Sequence, residues 1–456
     1  MTVMTRPLRI SLAAPTSRTA GRKLMAAIAL AISTLPMVVS AQATPGTPQP
    51  APQQGGGGSR GGFGLSIDLG SLFKAVQLLT ADDRYSSPDT AALPQYEPRQ
   101  LVLSWPADQQ IAATQLVLAS GGALQTSQAL DNLGITIAVV VFASDEQAQQ
   151  ALPALLANPN ITASRHAIAY SMQTASAVSG PVPGKQYAHD LLKASVQTGV
   201  KLTSAVTVGI IDTEVTNANA LNLVNFKAKR LFADSDKPAA PDHGNAVAAI
   251  IAATGNGFEG LAQGTTLRAA GVMREVSPGI NATNTLLVAQ ALDWLISEKV
   301  QVANLSLGSA PDAVLAAAIT KAQATGMVIV AAAGNGGPQA APSYPAAYPG
   351  VIAVTAIDAQ KRLYTRANRG SYIAIAAPGV DVWVPLPAAD GKTKGKYMSG
   401  TSFASPFVAA AVAQSIAQQT AVQTAVKAPA YIQKLCSKAA NLGAPGPEFG
   451  CGLLQM

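Results

Sequence analysis

The stretch KYMSGTSFASP, Lys396 to Pro406, sets Ser402 at the start of an apolar, small-residue helix. Serine and threonine are mediocre helix formers, so their concentration there calls for a cap or for a reaction. A serine nucleophile needs a base, and histidine is the commonest one at neutral pH. The chain has three histidines, His166, His189 and His243. His166 falls in a strand of a small N-terminal unit and His189 just past a linker, whereas His243, in PDHGNAVAAIIAA, opens an apolar helix and is the best placed. Asp212 ends the strand TVGIID, where a buried carboxylate needs a partner, and it is the candidate to orient the imidazole. Standing alone it would read as a cap. Asn335 lies between glycines at the end of VIVAAAGNGGP, so its amide is free to project as a donor to a developing oxyanion. The same GNGG fails as a dinucleotide loop because Gln339 replaces the third glycine and Pro338 breaks the turn.

These residues need a frame. AVTVGIID, TLRAAGVM, VQVANLSLG, GMVIVAAAG and GVIAVTAID are continuous apolar runs with alanine-rich helices between them. Such runs predict a parallel sheet covered on both faces, an α/β fold whose ligands sit at the carboxyl ends of the strands. Upstream, residues 99–172 alternate strand, helix, strand, strand, helix, strand, with Ser144 as a cap, which predicts a small ferredoxin-like α+β unit. Residues 42–98 hold a Pro/Gly-rich linker and the short amphipathic stretch LGSLFKAVQLLTADD, and residues 173–186 form a second linker.

With 48% hydrophobic and 12% charged residues, the 456-residue chain buries a sizeable core and is not a disordered protein. The formal charge of +7 dissolves by region: residues 1–41 carry five basic side chains and no acid, residues 42–189 sum to −3 and residues 190–456 to +5. No dense basic stripe with interleaved aromatics appears, which argues against a nucleic-acid partner. The basic leader precedes LMAAIALAISTLPMVVSA and small residues, the grammar of a signal peptide over 1–41 and so of export to periplasm or medium. Pro36 interrupts the run, so no membrane span is expected after cleavage. The two cysteines, Cys436 and Cys451, predict one disulfide in an exported protein, a pair of buried thiols being the alternative.

The blocks IIDTEV, DHGNAVAAIIAA, NLSLGS, AAAGNGGP, SYPAAYPGVIAVTAID and SGTSFASPFVAAAVA resemble, in order, those of subtilisin-like serine proteases over 187–456. The resemblance implies a doubly wound subtilisin-like peptidase domain, with Asp212, His243 and Ser402 as the triad and Asn335 as oxyanion donor. It implies that Ser306, Leu307 and Gly308 bind substrate backbone and wall the S1 pocket, and that Ser343 lies near its floor. It implies further that 99–172 is an inhibitory pro-domain, its own intramolecular partner, removed between Met172 and Tyr187 as an autoprocessed zymogen matures. Polypeptides are the implied substrates, with an uncharged, small to medium residue before the cut. No cofactor is required; structural calcium is common in the family, and ADSD, Ala233 to Asp236, is the one candidate loop. The chain departs from the family at Glu214, where glycine is usual, and at Asn245, where threonine is. Glu214 is expected to resist positive φ and to set a carboxylate near the site. An α/β-hydrolase is excluded because no histidine follows Ser402, and a trypsin-like barrel by the strand and helix alternation. The non-enzymatic alternative is a pseudo-protease that binds peptides.

Overall fold

The computed structural model describes residues 93–171, 174–175, 185, 187–192, 206–255, 257–418, 428–442, 446 and 448–456. The expected signal peptide, the Pro/Gly linker, the amphipathic stretch and most of 173–186 lie outside them.

The first described elements are β1 (Tyr96–Trp105), α1 (Gln110–Ala119), β2 (Ala123–Leu130), β3 (Ile135–Val141), α2 (Asp145–Leu156) and β4 (Thr162–Ser171). β1 starts three residues before Arg99, because a bulge at Arg99 (φ 58°) interrupts its pairing with β4 and Arg99 N donates to Asp145 Oδ1 at 2.6 Å. Ser144 Oγ accepts from Gln147 N and caps α2. The strands run antiparallel in the order β2-β3-β1-β4, with Leu101, Leu103, Val140 and Leu155 packed in one small core.

β5 (Thr174–Ala175) and α3 (Tyr187–Leu191) come next. Then follow β6 (Thr207–Asp212), β7 (Phe226–Arg230), α4 (Asp242–Ala252), β8 (Thr266–Gly271), β9 (Arg274–Ser277), β10 (Ile280–Asn284) and α5 (Thr285–Ser297). The remainder is β11 (Val302–Leu305), β12 (Leu307–Ser309), α6 (Ala313–Ala324), β13 (Val328–Ala332), β14 (Ile352–Ile357), β15 (Ile373–Pro378), β16 (Val382–Pro387), β17 (Thr393–Ser399), α7 (Thr401–Ala417) and α8 (Ala428–Lys438). Seven strands, β15-β14-β13-β11-β6-β8-β7, form one parallel sheet. Side chains of α4 and α7 cover one face with Val208, Ile210 and Val330, and those of α5 and α6 cover the other with Ile211, Leu305 and Ile329. Burial on both faces is why these strands are apolar throughout rather than alternating.

VQVANLSLG is not one strand. β11 stays in the parallel sheet, while the chain breaks at Ser306 and β12 turns away to pair antiparallel with β4. β10 lies on the other side of β4, so the last strand of the small unit is held between two strands of the larger one. Val102, Leu130, Leu133 and Ile137 of the small sheet share a core with Leu292, Trp294 and Leu315. Cys436 and Cys451 form a disulfide. Among the described residues no helix is long and apolar enough to cross a membrane.

Candidate active site

β6 delivers Asp212 to the carboxyl edge of the sheet, and α4 begins at Asp242 beside it. His243 Nδ1 lies 2.6 Å from Asp212 Oδ1, and both side chains are buried. A carboxylate only accepts, so Nδ1 carries the hydrogen and the neutral ring keeps its lone pair on Nε2. That Nε2 is buried without a hydrogen-bond partner. Thr213 N donates to the same Asp212 oxygen at 2.6 Å, and Gly244 N donates to Thr213 Oγ1 at 2.8 Å, which ties the two elements together. Asp242 turns outward to Lys396 Nζ at 3.1 Å.

Ser402 lies in the first turn of α7, after Gly400, whose φ of 146° suits glycine alone. The Phe403 ring, next in sequence, is 5.1 Å from the His243 ring between centroids, which sets the first turn of α7 against the start of α4. α7 contains Pro406, which has no N–H for the carbonyl four residues back, that of Ser402. Ser306 Oγ takes over that bond at 3.1 Å, and accepts in turn from Asn304 Nδ2 at 2.9 Å. The break between β11 and β12 therefore also braces the start of α7.

Asn335 Oδ1 accepts from Thr401 N at 3.0 Å and Thr401 Oγ1 at 2.9 Å. With its oxygen so held, the Asn335 side chain is fixed beside the first turn of α7. Helix first-turn N–H groups lack an intrahelical acceptor, so this end of α7 also favours negative charge. Gly308, Asn335 and Ser343 border one cavity of ≈ 470 Å³, together with Gly336, Asn368 and Tyr170. Leu307 is buried against α5 and α6.

Glu214 resists positive φ as expected, and its carboxylate is taken up by a partner. It is not among the residues of positive φ, and both its oxygens accept from Arg230 at the end of β7, at 2.9 Å each. Gly271 makes the room, since a Cβ there would sit 2.8 Å from Glu214 Cγ. Asn245 Oδ1 accepts from Thr216 N at 2.9 Å and so secures the loop after Asp212. His166 and His189 stand elsewhere. His166 pairs with Gln100, and burial and Arg274 lower its pKa to about 4. His189 Nε2 meets the Glu259 carbonyl, and burial lowers its pKa also. In ADSD, Asp234 and Asp236 face Arg230 and Arg274. No group of three or more His, Cys, Asp or Glu able to hold a metal occurs among the described residues.

Sequence reasoning missed Asp312. It caps α6 by accepting from Val314 N and Leu315 N, and it also accepts from Thr285 Oγ1 and, across the boundary with the small unit, from Ser164 Oγ at 2.8 Å and Ala167 N at 3.3 Å. An aspartate just before an alanine-rich helix was a legible cap signal; its second allegiance was not. Asp293 does likewise, accepting from Asn132 N and Leu133 N at 2.8 and 2.9 Å.

Comparison with known proteins gives a consistent result. The peptidase S8 model, described as the subtilase family, matches residues 188–453. Subtilisin DY of Bacillus licheniformis is 32% identical over 277 residues, 59% of this chain and 96% of that protein. Subtilisin E of Bacillus subtilis (strain 168) is 34% identical over 215 residues, 45% of this chain and 54% of that protein. Among solved structures, fervidolysin of Fervidobacterium pennivorans, a keratinolytic enzyme related to subtilisin, superposes with a TM-score of 0.64 at 20% identity, over 80% of this chain and 61% of that one.

Proposed function

The chain belongs to the subtilase family of serine endopeptidases, and from that premise we propose that Asp212, His243 and Ser402 hydrolyse peptide bonds of polypeptide substrates through an acyl-enzyme. The observation that supports the proposal is the buried Asp212–His243 pair, whose Nε2 has no hydrogen-bond partner and whose ring lies 5.1 Å from that of Phe403, the residue after Ser402. Ser402 Oγ attacks the peptide carbonyl, and its proton passes to His243 Nε2. Asp212 holds the tautomer and offsets the imidazolium charge. The Asn335 amide and the N-terminus of α7 receive the oxyanion. The proton then goes to the leaving amine, and water releases the acyl group by the same route. Ser343 and Gly308 border the cavity that takes an uncharged side chain of the substrate, and Leu307 packs in the core behind them.

The same reading makes the chain an exported zymogen, with a signal over 1–41 and the unit at 99–172 as inhibitor. The seat of β4 between β10 and β12, and the bonds of Asp293 and Asp312 to the small unit, support this role. A non-local parallel sheet folds slowly, and a docked template would lower that barrier.

Ser402→Ala tests the proposal: it abolishes hydrolysis of a denatured protein substrate and leaves the precursor uncleaved. Retained hydrolysis in that variant would refute the mechanism.

A further inference from the structure

Resting on the reading of Asn335 as oxyanion donor, we infer that Asn368 is a positioning residue that holds this donor in place and ties it to the wall of the ≈ 470 Å³ cavity, so that the fit of a substrate side chain there is expressed in kcat.

Asn335 lies in the turn after β13, and its side-chain oxygen is held by Thr401. An oxyanion donor is effective when the backbone that carries it is fixed in advance, because no reorganisation is then needed at the moment of reaction. The loop between β14 and β15, residues 358–372, supplies that fixing residue by residue. Tyr372 Oη donates to the Ala333 carbonyl at 2.7 Å, and Asn368 N donates to the Gly334 carbonyl at 3.0 Å. Gly336 N donates to Asn368 Oδ1 at 2.7 Å, and Gly337 N donates to the Arg366 carbonyl at 2.8 Å. The bonds fall on both sides of Asn335, and Asn368 makes one on each.

Asn368 is only 3% exposed, and its amide is used at both ends. While Oδ1 takes the Gly336 N–H, Nδ2 donates to the Ala341 carbonyl at 2.9 Å, which fits one orientation of the amide and not its flip. Ala341 and Ser343 border the cavity, as do Asn335, Gly336 and Asn368 itself. One side chain thus spans from the donor's turn to the cavity wall. The Tyr372 hydroxyl joins the same network: burial raises its pKa, against hydrogen bonds with the Ser343 backbone and the Asn368 side chain, so it stays a donor through the neutral range.

The glycine before Asn335 makes the approach possible. A Cβ on Gly334, whose φ is 117°, would sit 2.6 Å from Asn368 Cγ. The spacing that frees the Asn335 amide is therefore also the space that admits Asn368. A side chain that fits the cavity poorly displaces the wall, and through Asn368 the displacement reaches Gly336, next to the donor. A shift of about 1 Å in a catalytic group costs up to about 100-fold in rate.

The test measures kcat and KM of the processed enzyme, counted by fluorophosphonate titration, on two peptide anilides that differ only in leucine or alanine before the cut. Asn368→Ala is expected to lower kcat on the leucine substrate about 10- to 100-fold with KM within about threefold. In an Asn335→Ala background the same change is expected to lower kcat by less than about twofold, because the donor it positions is gone. Tyr372→Phe keeps the ring and drops the bond to Ala333, and serves if Asn368→Ala does not fold. It is expected to lower kcat about 3- to 10-fold, again only where Asn335 is present. Equal losses in the two backgrounds, or a loss confined to KM, would overturn the positioning role. Wild type is expected to turn over the leucine substrate at least about fivefold faster than the alanine one, and Asn368→Ala to bring that kcat ratio toward one. A ratio unchanged by Asn368→Ala would overturn the link to the cavity wall. An Asn335→Ala enzyme with unchanged kcat would instead overturn the oxyanion reading beneath the inference.

Discussion

Replacing Ser306 by alanine removes a hydroxyl that two buried groups depend on. Pro406 leaves the Ser402 carbonyl without a helical donor, and Ser306 Oγ supplies one at 3.1 Å; the same oxygen is the acceptor for Asn304 Nδ2 at 2.9 Å. Each buried group left unpaired costs about 1–3 kcal/mol. Ser405 Oγ, 3.5 Å from the Ser402 carbonyl, recovers part of one loss. The net is about 2–3 kcal/mol, which in a domain of this size lowers Tm by roughly 4–12 °C. Scanning calorimetry in a Ser402→Ala background, where the chain does not digest itself, measures the shift; that background removes the serine hydroxyl and keeps its carbonyl. Ser405→Ala in the same background is expected to cost less than half as much, since Ser306 keeps both bonds. A Ser306→Ala transition within about 1 °C of its parent would refute the account of how α7 is braced.

Asn335→Ala is expected to lower kcat on the order of 10² to 10³ with KM nearly unchanged, the magnitude known for losing one oxyanion donor in subtilisin; a loss confined to KM would place the amide in ground-state binding. His166 is neutral in the folded chain down to about 4, against 6.5 when released, so below pH 6.5 the unfolded chain binds the extra proton. Stability of the unprocessed Ser402→Ala chain therefore falls as pH drops from 6.5 toward 4, by up to about 3 kcal/mol, and His166→Gln flattens that part of the Tm profile. Cys436→Ser with Cys451→Ser opens a loop of sequence separation 15, costing about 3 kcal/mol of stability and leaving peptide hydrolysis by the folded enzyme intact. A parallel loss of kcat at low temperature would contradict the second half of that statement.

The parallel sheet was legible because strands buried on both faces are apolar throughout: β6, β11, β13 and β14 sit inside the runs read from the sequence. β7 was not, since FKAKR lies at the sheet's edge and is largely exposed, so it lacks the continuous apolar run that marks the buried strands. The β9–β10 hairpin and the departure of β12 from β11 were hidden because what fixes them is pairing with β4, more than a hundred residues upstream. At the site, residue types and block order singled out Asp212, His243, Asn335 and Ser402, and the structure brings Asp212 to His243 and Asn335 to Thr401, beside Ser402. The sequence did not announce that Glu214 is engaged by Arg230, a pairing created when β7 joins the sheet beside β8. Nor did it announce that Asp312 serves two units at once. Both depend on tertiary partners that local spacing does not encode.

The central claim is that His243, oriented by Asp212, activates Ser402. The most direct measurement is labelling of the processed protein with a fluorophosphonate, followed by mass mapping of the adduct. The account predicts a single adduct on the peptide that contains Ser402, absent from Ser402→Ala and formed far more slowly in His243→Ala. An unlabelled wild type, or an adduct on another residue that persists in Ser402→Ala, would contradict it.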